Sequence, residues 1–310
     1  AWLRFVPGII DSQDISLNIS REMLQNNPVI NKIKKGITNK ILKEIELISK
    51  NEKNKYIDFW KNFGSVIKEG LYEFNEFHDK LLQLMRFQTS ENDQFSSLDD
   101  YLKSIDKNQK EIYYFSNVEK NQIKNSPQLE AFIEKKIPVI FMTDAVDDFW
   151  IPNIGKYKDK EFKSITKGKV DLSKFNSNKD INKNKNIKID SNINDLINVL
   201  KKELKENIKD VIVSSRLTKS PLIITADETG IDMNMEKLMK IHNKNMPDNK
   251  KILEINPKHP MILMFANNLK KINHKKMSSF VIDQANILDG NSIKNPSEYV
   301  ENLTDLLINN

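Results

Sequence analysis

The sequence predicts a mixed chain of class α+β / α/β. A helical region leads into a small α/β unit, and a second α+β unit closes on a terminal bundle of helices. Three observations predict this. Ile30, Ile33, Ile37, Ile41, Ile45 and Ile48 recur at helical spacing after Pro28. Short apolar runs then alternate with helical patterns between about residues 98 and 166, as expected of a sheet with some parallel pairing. Residues 168–191 are rich in Lys, Asn, Ser and Asp with few apolar anchors, and read as a linker.

Residues 1–12 read as a strand ending at Asp11-Ser12, followed by a short helix from Ser20 to Gln25 and the long helix after Pro28. Helices are predicted at about 54–68, with Ile57, Trp60, Phe63 and Ile67 on one stripe, and at about 73–86. The small α/β unit follows: a helix over 98–105, a strand over 111–115, a helix over 128–135, a strand over 138–143, a short helix over 149–154 and a strand over 162–166. The second unit reads as a helix near 192–206, strands at 210–215 and 222–225, a helix near 231–243 and a strand at 251–255. Helices at about 258–270, 276–289 and 296–308 end the chain. The last has Asn295 as N-cap, Pro296 at the first helical position and Glu298 three residues after the cap. These elements divide the chain into 1–167, a linker at 168–191, and 192–310.

Composition narrows the function classes. The 310 residues suffice for two domains of ordinary size, with 38% hydrophobic and 30% charged residues. No apolar run approaches the roughly 20 residues of a membrane helix, so no membrane partner is expected. Cysteine is absent, which excludes disulfides and thiolate chemistry and fits a reducing cytoplasm. The first residues carry no secretory signal pattern. They read as a strand already under way with no initiator Met, so a longer chain is expected upstream. An organelle address would lie there too. The net charge is +6, but the excess is Lys interleaved with Asp, Glu and Asn along the whole chain. With no aromatic-plus-basic platform, this reads as compositional bias rather than a nucleic-acid surface.

A complete active site is not expected within the chain. There is no glycine-rich phosphate loop, and His78, His242, His259 and His274 sit at no metal-ligand spacing, so no metal is assigned. The only arginines are Arg4, Arg21, Arg86 and Arg216. Where Lys is the default cation, an Arg marks a place that needs a fork of donors. Ser20 can cap a helix, which places Arg21 in its first turn, where the helix dipole disfavours a cation. Either Arg21 is a surface cation paired with an acid such as Glu22, or it forms an anion site. In the second case Gln25, at i+4, points from the same face, and the pair could grip a terminal phosphate supplied by another domain.

Ile9-Ile10-Asp11-Ser12 and Leu17–Gln25 resemble the middle domain of HtpG-type chaperones, the heat-shock protein 90 family. The resemblance continues in order through Phe59–Gly64, Ile67–Gly70, Leu84–Phe87, Ser97–Tyr101, Ile112–Tyr114, Ser126–Glu130 and Asp144–Phe149. It extends through Ser215–Pro221, Glu254–Pro260 and Asp283–Ala285, covering nearly the whole chain.

The resemblance implies a middle-domain portion followed by a C-terminal dimerisation domain, with the N-terminal ATP-binding domain absent. It implies a molecular chaperone that binds unfolded or partly folded clients, driven by ATP with Mg in the complete protein. No cofactor is expected for this chain alone. It makes Arg21 the γ-phosphate-contacting residue, supported by Asn18 and Gln25. It also assigns client contact to the helix carrying Ile231, Met235, Leu238 and Met239, and to Asp148, Phe149 and Trp150. Without it, the first set reads as a core-facing stripe and the second as packing around a turn. Methionines suit a surface that adapts to many shapes. The last two helices, with Met277, Phe280, Val281, Ala285 and Leu288 on one stripe and Tyr299, Val300, Leu303, Leu306 and Leu307 on the other, are expected to form a homodimer bundle. The alternative is packing onto their own domain. A different class of reading is an ATP-independent holdase.

Overall fold

The computed structural model describes residues 2–11, 27–73, 76–117, 119–172, 175, 190–243 and 249–308. Among them lie twelve α-helices and eight strands in two sheets.

The N-terminal residues form turns over Trp2–Phe5 and irregular backbone to Asp11, not the predicted strand. The side chains of Trp2, Leu3 and Phe5 pack onto the helical layer instead of alternating across a sheet. Phe5 stacks on Phe63 at 4.9 Å, Trp2 is buried, and Arg4 forks onto Glu69 with Nη2–Oε1 at 2.7 Å. The receiving helix is α2 (Lys53–Tyr72), which packs beside α1 (Pro28–Asn51) and α3 (His78–Leu84). Asn27 caps α1 by accepting from the Val29 amide, and Pro28 stands in the first turn. Of the predicted isoleucine stripe, Ile45 is buried, Ile41 and Ile48 are partly buried and Ile37 is exposed, so the C-terminal half of α1 carries the packing. The N-terminal turn meets α2 where Gly70 leaves room. A Cβ there would lie 2.8 Å from the Trp2 ring and 2.9 Å from Leu81. Gly70→Ala is therefore expected to cost about 1–3 kcal/mol by overpacking. A lowered urea midpoint with a changed tryptophan emission would register it, and an unchanged midpoint would mean that Trp2 simply swings away.

Five strands follow: β1 (Gln88–Thr89), β2 (Glu111–Ser116), β3 (Ile140–Met142), β4 (Lys156–Tyr157) and β5 (Lys160–Ser164), in the order β1-β3-β2-β5-β4. The central β2 pairs parallel with β3 and β5, and the edges are antiparallel. Alternation along β2 splits the core. Ile112 and Tyr114 join the helical layer of α1–α3, whereas Tyr113 and Phe115 join Ile123 and Phe132 on the opposite face. The intervening helices are α4 (Leu98–Ser104), α5 (Lys120–Lys124), α6 (Glu130–Glu134) and α7 (Asp147–Ile154), with a 3₁₀ turn at Pro127–Leu129. Val170 and Leu172, the first apolar residues of the predicted linker, are buried in the second of these cores.

The second unit comprises α8 (Ser191–Glu203), β6 (Ile208–Val213), β7 (Leu222–Thr225), α9 (Met233–His242), β8 (Lys251–Ile255), α10 (Pro260–Asn267), α11 (His274–Leu288) and α12 (Pro296–Ile308). Its sheet has the order β6-β8-β7, with β6 parallel and β7 antiparallel to β8. Helix α9 starts two residues later than predicted, because Asp232 accepts from the Asn234 amide and caps it. Ile231 thus precedes the helix and does not share its stripe. Among the described residues, no helix is long and apolar enough to cross a membrane.

Candidate functional site

The predicted phosphate-contacting residues Asn18, Arg21 and Gln25 lie outside the described residues. The other candidates fall on three surfaces.

The first surrounds α7. Phe149 is exposed and meets the exposed Tyr72 edge-on at 6.1 Å, so α7 and the end of α2 present an aromatic patch. The neighbouring candidates point inward. Trp150 is fully buried, and its indole Nε1 donates to Asp147 at 2.8 Å. Asp147 in turn pairs with the buried Lys68 at 2.8 Å, and Asp144 reaches the same ammonium at 2.9 Å. Burial works against the Lys68 charge, but the two carboxylates outweigh it and hold the ammonium above its usual range. This network clamps α7 to α2 and leaves Phe149 as the one predicted aromatic at the surface.

Asp148 is also buried, but it faces the second unit. Its Oδ2 accepts from Asn234 Nδ2 of α9 at 2.5 Å, and the same amide reaches Ser116 Oγ at 3.3 Å. Burial, reinforced by Asp232 and Asp147, raises the Asp148 carboxyl to about 7, against donors on Ser116 and Asn234 that favour its charge.

The second surface is α9. Met235, Leu238 and Met239 are half-buried, and Ile241 is 70% exposed. Glu236 anchors the opposite face through Lys251 of β8, with Lys240 one turn on in the same helix paired to it at 2.5 Å, and Lys237 pairs with Asp289 at 2.9 Å. The helix is therefore held by charged residues on one side and leaves Met235, Leu238 and Met239 half-exposed on the other.

The third surface is the terminal hairpin. Met277, Phe280, Val281, Ala285 and Leu306 are buried within this chain, and Phe280 stacks on Tyr299 at 5.6 Å. Leu288, Tyr299 and Leu303 are partly buried, whereas Ile287, Val300, Leu307 and Ile308 are exposed. So one stripe of each helix seals the unit's own core, and a second apolar stripe stays open.

Sequence reasoning pointed to Arg216 without a role. The structure buries it where the two units meet. Its Nη2 lies 2.9 Å from Glu254 and donates to Gly168 O at 2.6 Å, and its Nη1 donates to Ile165 O. Ala131 N returns a bond to Arg216 O at 3.1 Å. Next to it, the Glu130 carboxylate accepts from the amides of Thr218, Lys219 and Ser220 at 2.7, 2.7 and 3.0 Å. Burial pushes the Glu130 carboxyl up, but these donors win and hold it below its usual range. Sequence reasoning missed Glu130, because its partners lie about 90 positions away. Among the described residues, no group of three or more His, Asp or Glu could hold a metal ion.

The family described as "Hsp90 protein" matches residues 1–310. "Chaperone protein HtpG" of Roseobacter denitrificans is 39% identical over 313 residues, covering 99% of this chain and 50% of that protein. The proteins of the same description from Coxiella burnetii and Ruthia magnifica are each 38% identical, with 99% of this chain covered and 48% and 49% of their own lengths. The chain spans about half the length of these curated relatives. With the match running from the first residue to the last, the chain belongs to the Hsp90 protein family.

Proposed function

We propose that this chain is the client-binding and dimer-forming part of an ATP-driven chaperone acting in the cytoplasm. Its clients are unfolded or partly folded proteins, held by the Tyr72–Phe149 patch and by the open face of α9. The observation that carries this reading is the pairing of two apolar surfaces, each on a helix held from behind by charged pairs. A rigid backing with soft, adaptable residues in front suits binding without sequence preference. Open apolar patches of this kind on soluble proteins mark interaction sites. Asp148 and Trp150 serve this reading from within, by fixing α7, while Phe149 makes the contact.

In the complete protein, Arg21, with Asn18 and Gln25, reaches the γ-phosphate of ATP bound with Mg by another domain. The open stripe of Ile287, Val300, Leu307 and Ile308, flanked by Leu288 and Leu303, meets its copy in a second subunit.

An aggregation assay tests the client reading. The chain is expected to suppress aggregation of a heat-unfolded protein, and replacing Met235, Leu238 and Met239 together by Ser should weaken suppression at least about fivefold. Full suppression by the folded triple variant would remove α9 from the site. Light scattering should give a dimer at micromolar concentration, and Leu307→Glu with Val300→Glu should give a monomer.

A further inference from the structure

The first turn of α9 is the meeting point of three elements from the preceding unit. Asp232, its cap, accepts from Ser164 Oγ at the end of β5 and from Thr166 Oγ1 at 3.0 Å. Asn234, one turn-position on, donates through a single amide to Asp148 of α7 and to Ser116 at the end of β2. Asn234 and Asp148 are both 6% exposed. An amide is well suited here, since its two N–H groups serve a carboxylate and a hydroxyl at once.

The position of Asp148 in α7 gives this contact its interest. Asp147 faces inward to Lys68, Asp148 faces α9, and Phe149 faces solvent. One short helical turn therefore carries the aromatic patch outward and holds the neighbouring unit sideways. On α9, Asn234 is likewise adjacent to Met235. The anchors Glu236–Lys251 and Lys237–Asp289 tie α9 to its own unit, while Asp148–Asn234 ties it to the other.

We infer that the Asp148–Asn234 pair is a positioning joint that fixes α9 against α7, so that the Phe149 patch and the Met235–Met239 face are held as one composite surface. Neither residue touches a client. Each acts by setting the mutual pose of the two helices that do, an inference that rests on the client reading above. A buried bond made across two units biases both surfaces together, and coupling of this sort is shown by non-additivity, not by proximity.

The absence of cysteine makes the test clean, because spin labels attach only where Cys is introduced. Labels at Glu161→Cys and Ile241→Cys, both exposed, report the distance between the two units in the full chain. Asn234→Ala and Asp148→Ala are each expected to broaden or shift that distance distribution by roughly 2–5 Å, the scale of packed-element movements. The double variant should move it no further, and Asp148→Asn, which keeps an acceptor, should leave it narrow. A narrow, unshifted distribution in folded Asn234→Ala overturns the joint, and so do effects that add in the double variant. Loss of all helical signal in both alanine variants also overturns it, since the pair would then supply stability and not pose. Aggregation suppression is measured alongside without labels. A shifted distance with unaltered suppression keeps the joint and defeats the client reading of α9.

Discussion

Arg216→Met is expected to lower the unfolding free energy by about 3–5 kcal/mol, read as a shift of the urea midpoint. The guanidinium is 1% exposed, so its partners have no water to turn to. Removing it leaves the Glu254 carboxylate buried with, among the described residues, only Ser214 Oγ as donor at 2.6 Å. It also leaves the carbonyls of Ile165 and Gly168 unpaired, each an added desolvation cost. Burial pulls the guanidinium below its usual value, and Glu254 opposes that pull, so the ion pair survives only as a unit. Arg216→Lys is expected to recover less than half of the loss. An ammonium is a point donor and cannot span Glu254, Gly168 and Ile165 in one plane. Replacing Arg216 and Glu254 together by apolar residues of similar size should recover more than the lysine does, because no charge is then stranded. A loss below about 1 kcal/mol for Arg216→Met would mean that water reaches Glu254 and that the two units are not welded here.

Arg216 also illustrates how far the sequence could be read. Its rarity among lysines flagged it, but neither its partners nor its burial has a local signature. Gly168 and Ile165 are about 50 positions away and contribute carbonyls, which any residue carries. Helices with strong periodicity or caps were legible almost to the residue: α12 at Pro296–Ile308, and α1 from Pro28. The strand Leu222–Thr225 was legible because a short apolar run is bounded by Pro221 and the polar stretch after Ala226. The two-residue strands β1 and β4 were not, since they are defined by their partners and not by pattern. The N-terminal apolar residues read as a strand, because a short run of apolar and aromatic residues does not distinguish a strand from a turn packed on a helix. The family resemblance assigned Asp148, Phe149 and Trp150 to one patch. Successive helical positions diverge by about 100°, and only the helix phase, set by Lys68 and Asn234, decides that one of the three faces solvent.

That phase leads to the second large expected effect. Asp148→Asn should stabilise the protein at alkaline pH and lose its advantage at acid pH. Burial raises the folded carboxyl to about 7 from an unperturbed 3.8, with Asp232 at the start of α9 and Asp147 on its own helix adding to the rise. Lys68, on α2, is committed to Asp147 and Asp144 and does not relieve it. The folded state therefore binds the Asp148 proton more tightly than the unfolded chain. Stability from this group is fully present below about pH 4 and is lost as pH rises toward 7. Asparagine does not titrate, so its advantage over the wild type should be near zero at pH 4. It should then climb toward about 4 kcal/mol above pH 8, the free-energy equivalent of a carboxyl shift from 3.8 to about 7. Urea midpoints for both proteins between pH 4.5 and 8.5 measure the difference, in which the groups not coupled to Asp148 cancel. Parallel profiles would show that the folded carboxyl titrates in the ordinary range. A diverging pair would show that the wild type keeps an ionisable group where a neutral isostere is more stable at pH 8. That is the expected signature of a residue retained for the contact it makes across the two units and not for the stability it adds.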